Sequence, residues 1–226
     1  MPRACETESA RLVETTSSPS KCFHFLAGDP SLDFVNTVDS WLSDTPSDAL
    51  ETYQDLVDWS GQVGLVCPEV AASLRKAASE CEQDAERVLR RAHTFRERLY
   101  KALVASVSGE SPRDADLNAL TSLIRNAAAH SRLDRCGNGF AWILDDARGC
   151  ELDWPIWQLA RATVDLLTSD SLQRVRQCAE ETCGWLFVDQ SRNRSRRWCD
   201  MSSCGNRAKA RRNYARKKAQ RLAEQG

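Results

Sequence analysis

Cys178-Ala179-Glu180-Glu181-Thr182-Cys183 and Cys199-Asp200-Met201-Ser202-Ser203-Cys204 are two cysteine pairs with the same four-residue gap, fifteen residues apart. Two short loops that each deliver two thiolates meet the tetrahedral demand of a zinc ion without a large core. The surrounding stretch needs such help, because from residue 171 onward its main apolar side chains are Trp185, Leu186, Phe187, Val188 and Trp198. Structural zinc contributes about 10 to 16 kcal/mol in isolated finger peptides, enough to decide whether such a segment folds. Four protein sulfurs leave no position for water or substrate, so the expectation is one structural Zn2+ on Cys178, Cys183, Cys199 and Cys204 and no catalytic metal. The competing readings are cysteines paired by chance and two disulfides.

The compartment bears on that choice. Ten cysteines in 226 residues would suggest a disulfide framework in a secreted chain. Residues 1 to 20 carry Arg3, Glu6, Glu8, Arg11 and Glu14 among serines and threonines, with no apolar core of the kind a signal peptide needs. No stretch approaches the roughly 18 apolar residues of a membrane span. The expectation is a cytoplasmic, reduced chain with no membrane partner, in which spaced cysteines are metal ligands. Cys5, Cys22, Cys67, Cys81, Cys136 and Cys150 lack close pairing and read as free thiols.

Charge separates the chain further. Residues 1 to 170 hold 17 Lys and Arg against 27 Asp and Glu, a net of -10, whereas residues 171 to 226 hold 14 against 5, a net of +9. Between the cysteine pairs runs Ser191-Arg192-Asn193-Arg194-Ser195-Arg196-Arg197. If extended, it would align Arg192, Arg194 and Arg196 on one face, and a turn would fan them apart. After the last cysteine, Gly205 to Ala223 reads as a helix bearing Arg207, Lys209, Arg211, Arg212, Arg216, Lys217, Lys218 and Arg221, with Ala208, Tyr214, Ala215 and Leu222 its modest apolar contacts. Cations around most of a circumference do not make a core helix; they suit phosphates and the counterion release that accompanies their neutralisation. The alternatives are a solvated basic tail and a helix docked on the acidic part of the chain.

Upstream, Cys22 to Leu26 reads as a short strand closed by Gly28-Asp29-Pro30, with Ser31 capping a helix that carries Leu32, Val35 and Val38. Tyr53, Leu56, Val57 and Trp59 suggest a short helix. Pro68 to Val107 has no later Gly or Pro, and its apolar residues recur at three- and four-residue steps, as one long amphipathic helix or two broken ones. A further helix is expected over about 112 to 130, then a turn at Cys136-Gly137-Asn138-Gly139 leading into the strand Phe140 to Leu144, and a last helix from Asp153 with Pro155 in its first turn. No glycine-rich phosphate loop occurs. His24, His93 and His130 lie apart in no metal or catalytic motif and read as core or surface histidines. Trp41, Trp59, Trp142, Trp154 and Trp157 read as core, with an aromatic-lined pocket for a small effector as the alternative.

Cys204-Gly205-Asn206-Arg207, together with Cys178, Cys183, Asp189-Gln190-Ser191-Arg192-Asn193 and Arg196-Arg197-Trp198-Cys199, resembles the CGNR zinc finger family. That resemblance implies a treble-clef arrangement, with the first pair on a knuckle, a hairpin after it, and the second pair at the start of a helix. Phe25-Leu26-Ala27-Gly28 with Leu32-Asp33-Phe34-Val35-Asn36-Thr37, and Trp154-Pro155 with Leu159-Ala160-Arg161 and Asp165-Leu166-Leu167-Thr168-Ser169, resemble the two ends of the ABATE domain that this family joins to its finger. The resemblance runs from about residue 22 to the end and implies a bacterial transcription regulator, sometimes described as stress-induced.

The expected fold is α+β. A disordered extension occupies residues 1 to 21, a predominantly helical ABATE-like domain with a few short strands spans 22 to 170, and a treble-clef-like finger spans 171 to 226. The expected partner is DNA, met by Arg192, Arg194, Arg196, Arg197, Asn206, Arg207, Lys209, Arg211, Arg212, Arg216, Lys217 and Lys218. The second reading is an RNA-binding or ribosome-associated module in which Trp185, Trp198 and Tyr214 stack on bases. A third is a ligand-binding or enzymatic first domain that the finger localises; no nucleophile, base and metal constellation supports catalysis.

Overall fold

The computed structural model describes residues 21–145 and 151–223. The expectations for residues 1–20, and for Cys5 and Cys150 as free thiols, fall outside the described residues.

The helical body is built on α4 (Glu82–Val107), about 39 Å long at 1.5 Å per residue. Val88, Leu89, Ala92, Phe95, Leu99 and Leu103 form its buried stripe. The long periodic segment resolves into two helices, α3 (Pro68–Glu80) and α4, broken at Cys81, whose φ of -138° and ψ of 63° leave the helical region. Glu82 and Asp84 then place negative charge in the first turn of α4, where a helix favours it. Before these, α2 (Tyr53–Gln62) starts on a capping box in which Thr52 and Asp55 satisfy each other's backbone N–H groups.

The helix α1 (Pro30–Val35) sits inside, with Leu32, Phe34 and Val35 fully buried against α4 and α6 (Trp154–Thr168). Its cap is Asp29, not Ser31: the Asp29 carboxylate accepts from the Ser31 N–H at 2.8 Å, while the buried Ser31 hydroxyl accepts from Thr163. Val38 lies beyond the helix in β1 (Val38–Asp39), which pairs with β2 (Ser47–Asp48). Arg96 of α4 clamps this pair by a two-toothed contact to Asp48 and a 2.6 Å bond to the Thr37 hydroxyl.

The predicted strand at Cys22 to Leu26 does not form. Its backbone is satisfied by side chains instead of a ladder: Phe23 N–H donates to Gln62, and Leu26 O accepts from Arg196. The turn before Phe140 is a two-residue hairpin with Gly137 at φ 56°, joining β3 (Ser131–Cys136) to β4 (Gly139–Leu144). The polar sequence of β3 carries no strand signal of its own and takes its conformation from β4. It follows α5 (Asp114–Ala129), which lies against α4 and α6.

A 3-10 turn (Asp170–Arg174) leads from α6 into the antiparallel pair β5 (Val175–Gln177) and β6 (Leu186–Val188), and a π-helical turn (Met201–Gly205) leads into α7 (Asn206–Ala223). One apolar core unites Phe34, Trp59, Leu99 and Leu159 with Val175, Leu186, Phe187 and Val188. Polar contacts reinforce the seam. Asn36 donates to Leu186 O at 2.8 Å and accepts from Leu186 N at 2.9 Å, and the Trp185 indole donates to Val38 O.

Asp33 of α1 is buried within this body, with one oxygen accepting from Ala27 N at 3.0 Å. Burial pushes its pKa up to about 6 from an ordinary 3.8. The protonated form therefore favours the fold; that contribution is complete below about pH 4 and is lost as pH rises through 6. Asp33→Asn keeps the acceptor for Ala27 without the charge. Chemical denaturation should show it more stable than the parent by up to about 3 kcal/mol at pH 7.5 and equal to it near pH 4. A variant less stable than the parent at both pH values would refute this account.

Candidate metal centre and nucleic-acid interface

The knuckle between β5 and β6 carries the first cysteine pair. Cys178 N donates to Trp185 O at 2.8 Å and Cys183 N to Glu180 O at 3.2 Å, which folds the loop so that both sulfurs face inward. Gly184, at φ 72°, closes it; a Cβ there would lie 2.8 Å from the Trp41 Cβ and the Tyr100 hydroxyl, so only glycine fits. The second pair is brought across by Ala179 N donating to Arg197 O. Asp200 then caps the following turn by accepting from the Ser202 and Ser203 N–H groups, placing Cys204 at the root of α7.

All four sulfurs are buried and lie within 4.8 Å of one another. Cys183 and Cys199 are separated by 3.7 Å and Cys199 and Cys204 by 3.5 Å, close to the edge of about 3.8 Å that a tetrahedron with 2.3 Å Zn–S bonds requires. Hydrogen bonds from its neighbours favour the Cys178 thiolate, while contact with that thiolate pushes Cys183 and Cys199 up. Cys178, Cys183 and Cys199 resist joint ionisation at this spacing, and a divalent cation among the four sulfurs removes the conflict. The donor set thus fits one structural Zn2+. Outside the sulfurs, the Arg207 guanidinium donates to Cys204 Sγ at 3.0 Å and Cys199 N–H approaches Cys178 Sγ at 3.4 Å, contacts that orient the ligands.

The arginine loop is a turn, not an extended run. Arg194 has φ 50° and its N–H donates to Ser191 O. Fully buried Asp189 pins the loop by accepting from Ser191 N, Ser191 Oγ and Arg196 N, and these bonds hold its carboxyl below the usual range. Arg192, Arg194 and Arg197 are exposed, Arg197 lying over the Trp198 ring. Arg196 departs from the expectation of a phosphate contact: its guanidinium lies 4.3 Å over Phe187 and donates to Leu26 O, Trp198 O and Cys199 O, so it ties the finger together.

Along α7 the predicted contacts divide. Asn206 donates to Ser202 O, Arg207 to the Cys204 sulfur, and Arg211 makes a two-toothed pair with Glu180, whose side chain is 2% exposed. From Arg211 to Leu222 every residue is exposed, so α7 stands off the described part of the body and does not dock on its described acidic residues. Lys209, Arg212, Arg216, Lys217 and Lys218 make no ion pair among the described residues. Of the aromatic candidates for stacking, Trp185 is engaged with Val38 and Trp198 lies beneath Arg197, whereas Tyr214 is 72% exposed. The sequence assigns Glu180 no role; no local signal marks it, because its partner lies 31 residues away.

The other sites considered in the sequence stay apart. His93 is bonded to Leu50 O and His130 to Asn126 O, while His24 is exposed. The tryptophans do not converge on one pocket. Trp41 stacks on Tyr100, Trp59 packs against Phe34, Trp157 bonds to Asn126, and Trp142 is exposed. Cys22, Cys67, Cys81 and Cys136 are free thiols. No described helix is long and apolar enough to cross a membrane.

The family comparison agrees with this geometry. Residues 28–170 match the ABATE family, described as "Putative stress-induced transcription regulator", and residues 174–217 match the CGNR zinc finger. The chain belongs to the ABATE family. Its ABATE region contains the body from just before α1 through α6, and its CGNR region holds all four cysteines and most of α7. Both are regulator or zinc-finger families, not enzyme families. No curated protein matches the chain.

Proposed function

We propose that this protein is a cytoplasmic DNA-binding transcription regulator whose zinc module presents α7 and the arginine turn to the phosphate backbone, while the ABATE region receives a small-molecule signal. The observation that carries this reading is α7, a helix rooted in the metal centre by Cys204, Arg207 and Arg211 whose remaining cations project from the body without internal partners among the described residues. Eighteen residues span about 27 Å, enough for a helix to lie in a major groove or along the backbone. Arg192, Arg194 and Arg197 of the turn add a second point of phosphate contact, and Arg196, Arg207 and Arg211 act as supports for the surface. The metal holds geometry and performs no chemistry on a substrate.

Binding to duplex DNA should weaken steeply with salt, with a log-log slope of about -0.9 for each phosphate neutralised. Fluorescence anisotropy across a salt series, with structured RNA as competitor, measures this. Salt-independent binding, or none at low salt, defeats the proposal. Preference for RNA over duplex would move the same surface to an RNA partner, with Tyr214 as its exposed stacking group.

A further inference from the structure

Between α1, α2 and the start of the finger lies a cavity of about 120 Å³, walled by Phe23, Asp33, Asn36, Thr37, Trp59 and Trp185, with His24 and Asp39 at its exposed rim. That is room for about four waters, or for an organic molecule of about five heavy atoms. Most polar groups in the wall are already engaged. Both ends of the Asn36 amide bond Leu186, the Thr37 hydroxyl bonds Phe34 O and Arg96, and the Trp185 indole bonds Val38 O.

Two groups remain. Trp59 is fully buried, yet its indole N–H has no acceptor among the described residues, an omission that costs about 1 to 3 kcal/mol when nothing fills it. Asp33 is buried with its carboxylate accepting from Ala27 N at 3.0 Å and approached by the Leu26 N–H, which leaves acceptor capacity for a further donor. An occupant must accept from the indole and donate to the carboxylate. Asp33 and Asp39 repel an anion, and the aromatic walls favour a methylene or a cation.

We propose that this cavity is the effector site, and that it takes a small primary amide or amino alcohol: a molecule without negative charge that pairs an oxygen acceptor for Trp59 with an N–H donor for Asp33. The site lies on the seam with the finger. Trp185 follows the zinc-ligand candidate Cys183 by two residues, and Asn36 joins the cavity wall to β6, so an occupant that orders this wall also orders the knuckle. This coupling rests on the regulatory reading above; the binding itself does not.

The test is a titration of the full chain without nucleic acid, followed by the indole N–H resonances of its seven tryptophans, with Trp59 assigned by Trp59→Phe. The probes are acetamide, ethanolamine and acetate. About five heavy atoms at no more than about 1.5 kcal/mol each limit the affinity to the micromolar to millimolar range, so additions run to tens of millimolar. The expected result is a saturable shift of the Trp59 and Trp185 resonances with acetamide or ethanolamine and none with acetate, weakened at least tenfold for ethanolamine by Asp33→Asn. No saturable shift at Trp59, or an equal response to acetate, or binding of both amine and amide unchanged in Asp33→Asn, overturns the proposal and leaves a cavity that holds water only. Should Trp59→Phe not fold, the Asp33→Asn comparison decides by itself. Failure here leaves the DNA proposal standing, and failure of DNA binding leaves this site standing.

Discussion

Cys178→Ser or Cys204→Ser is expected to abolish stoichiometric zinc and to destabilise far more than the segment that holds the metal. The sulfurs are where the knuckle, the second cysteine pair and the root of α7 converge, with the Arg211–Glu180 pair as a second tie, and hydroxyls cannot replace thiolates on zinc. In isolated finger peptides the metal contributes about 10 to 16 kcal/mol, and even a third of that, about 3 to 5 kcal/mol, is a large fraction of the roughly 5 to 15 kcal/mol that holds a domain folded. Here the loss spreads, because Leu186, Phe187 and Val188 share one core with Phe34 and Trp59, and Asn36 is bonded to the β6 backbone. At about 2 to 4 °C per kcal/mol for a chain of this size, the melting temperature should fall by at least about 7 °C. Metal analysis should find one zinc per chain in the parent and less than a tenth of that in either variant. Hydrogen exchange should show lost protection in β5 and β6 and weakened protection in α1. A fully loaded, normally folded variant would refute the ligand assignment.

The second large effect belongs to the outer half of α7. Replacing Arg212, Arg216, Lys217 and Lys218 together by glutamine should leave the melting temperature and zinc content unchanged, since these side chains are exposed and Gln is a good helix former. If each cation contributes about 1 kcal/mol through a phosphate contact, affinity for duplex DNA should fall roughly a thousandfold. The salt slope should become shallower by up to about 3.6. Arg211→Gln should behave differently. It frees buried Glu180 and loosens the root of the helix, so it should lower stability as well as affinity. Unchanged affinity and slope in the fourfold variant would remove α7 from the interface.

The contrast between these substitutions marks where the sequence was legible. The cysteine spacing, the charge reversal after residue 170 and the periodicity of α4 are local patterns. Each is written within a few turns of chain, and each has its counterpart in the structure. Boundaries and caps were less legible: Asp29 and Ser31 are both competent caps, and the choice depended on Ser31 finding Thr163 in the core. The strand expected at Cys22 to Leu26 failed for a related reason. Its residues suit a strand, but a strand needs a neighbour with free backbone groups, and the neighbours there are the side chains of Gln62 and Arg196.

The arginines show the division most sharply. By sequence, Arg192, Arg194, Arg196, Arg197, Arg207, Arg211 and Arg212 form one basic set. Tertiary structure splits it, placing Arg196 over Phe187, Arg207 on a sulfur and Arg211 on Glu180, while leaving the others exposed. The acids of the finger divide likewise, with Glu180 anchoring the helix, Asp189 pinning the arginine turn and Asp200 capping the π-helical turn before α7. What the sequence by itself determined is the metal chemistry, the helical character of the body and the polarity of its end, because ligand type, periodicity and net charge survive any arrangement of the chain. Only the folded structure decided which charges face outward and which hold the fold, because Arg211 and Arg196 meet partners brought near from 31 and 170 residues away, and the nearer contacts form only once the chain turns at the cysteines.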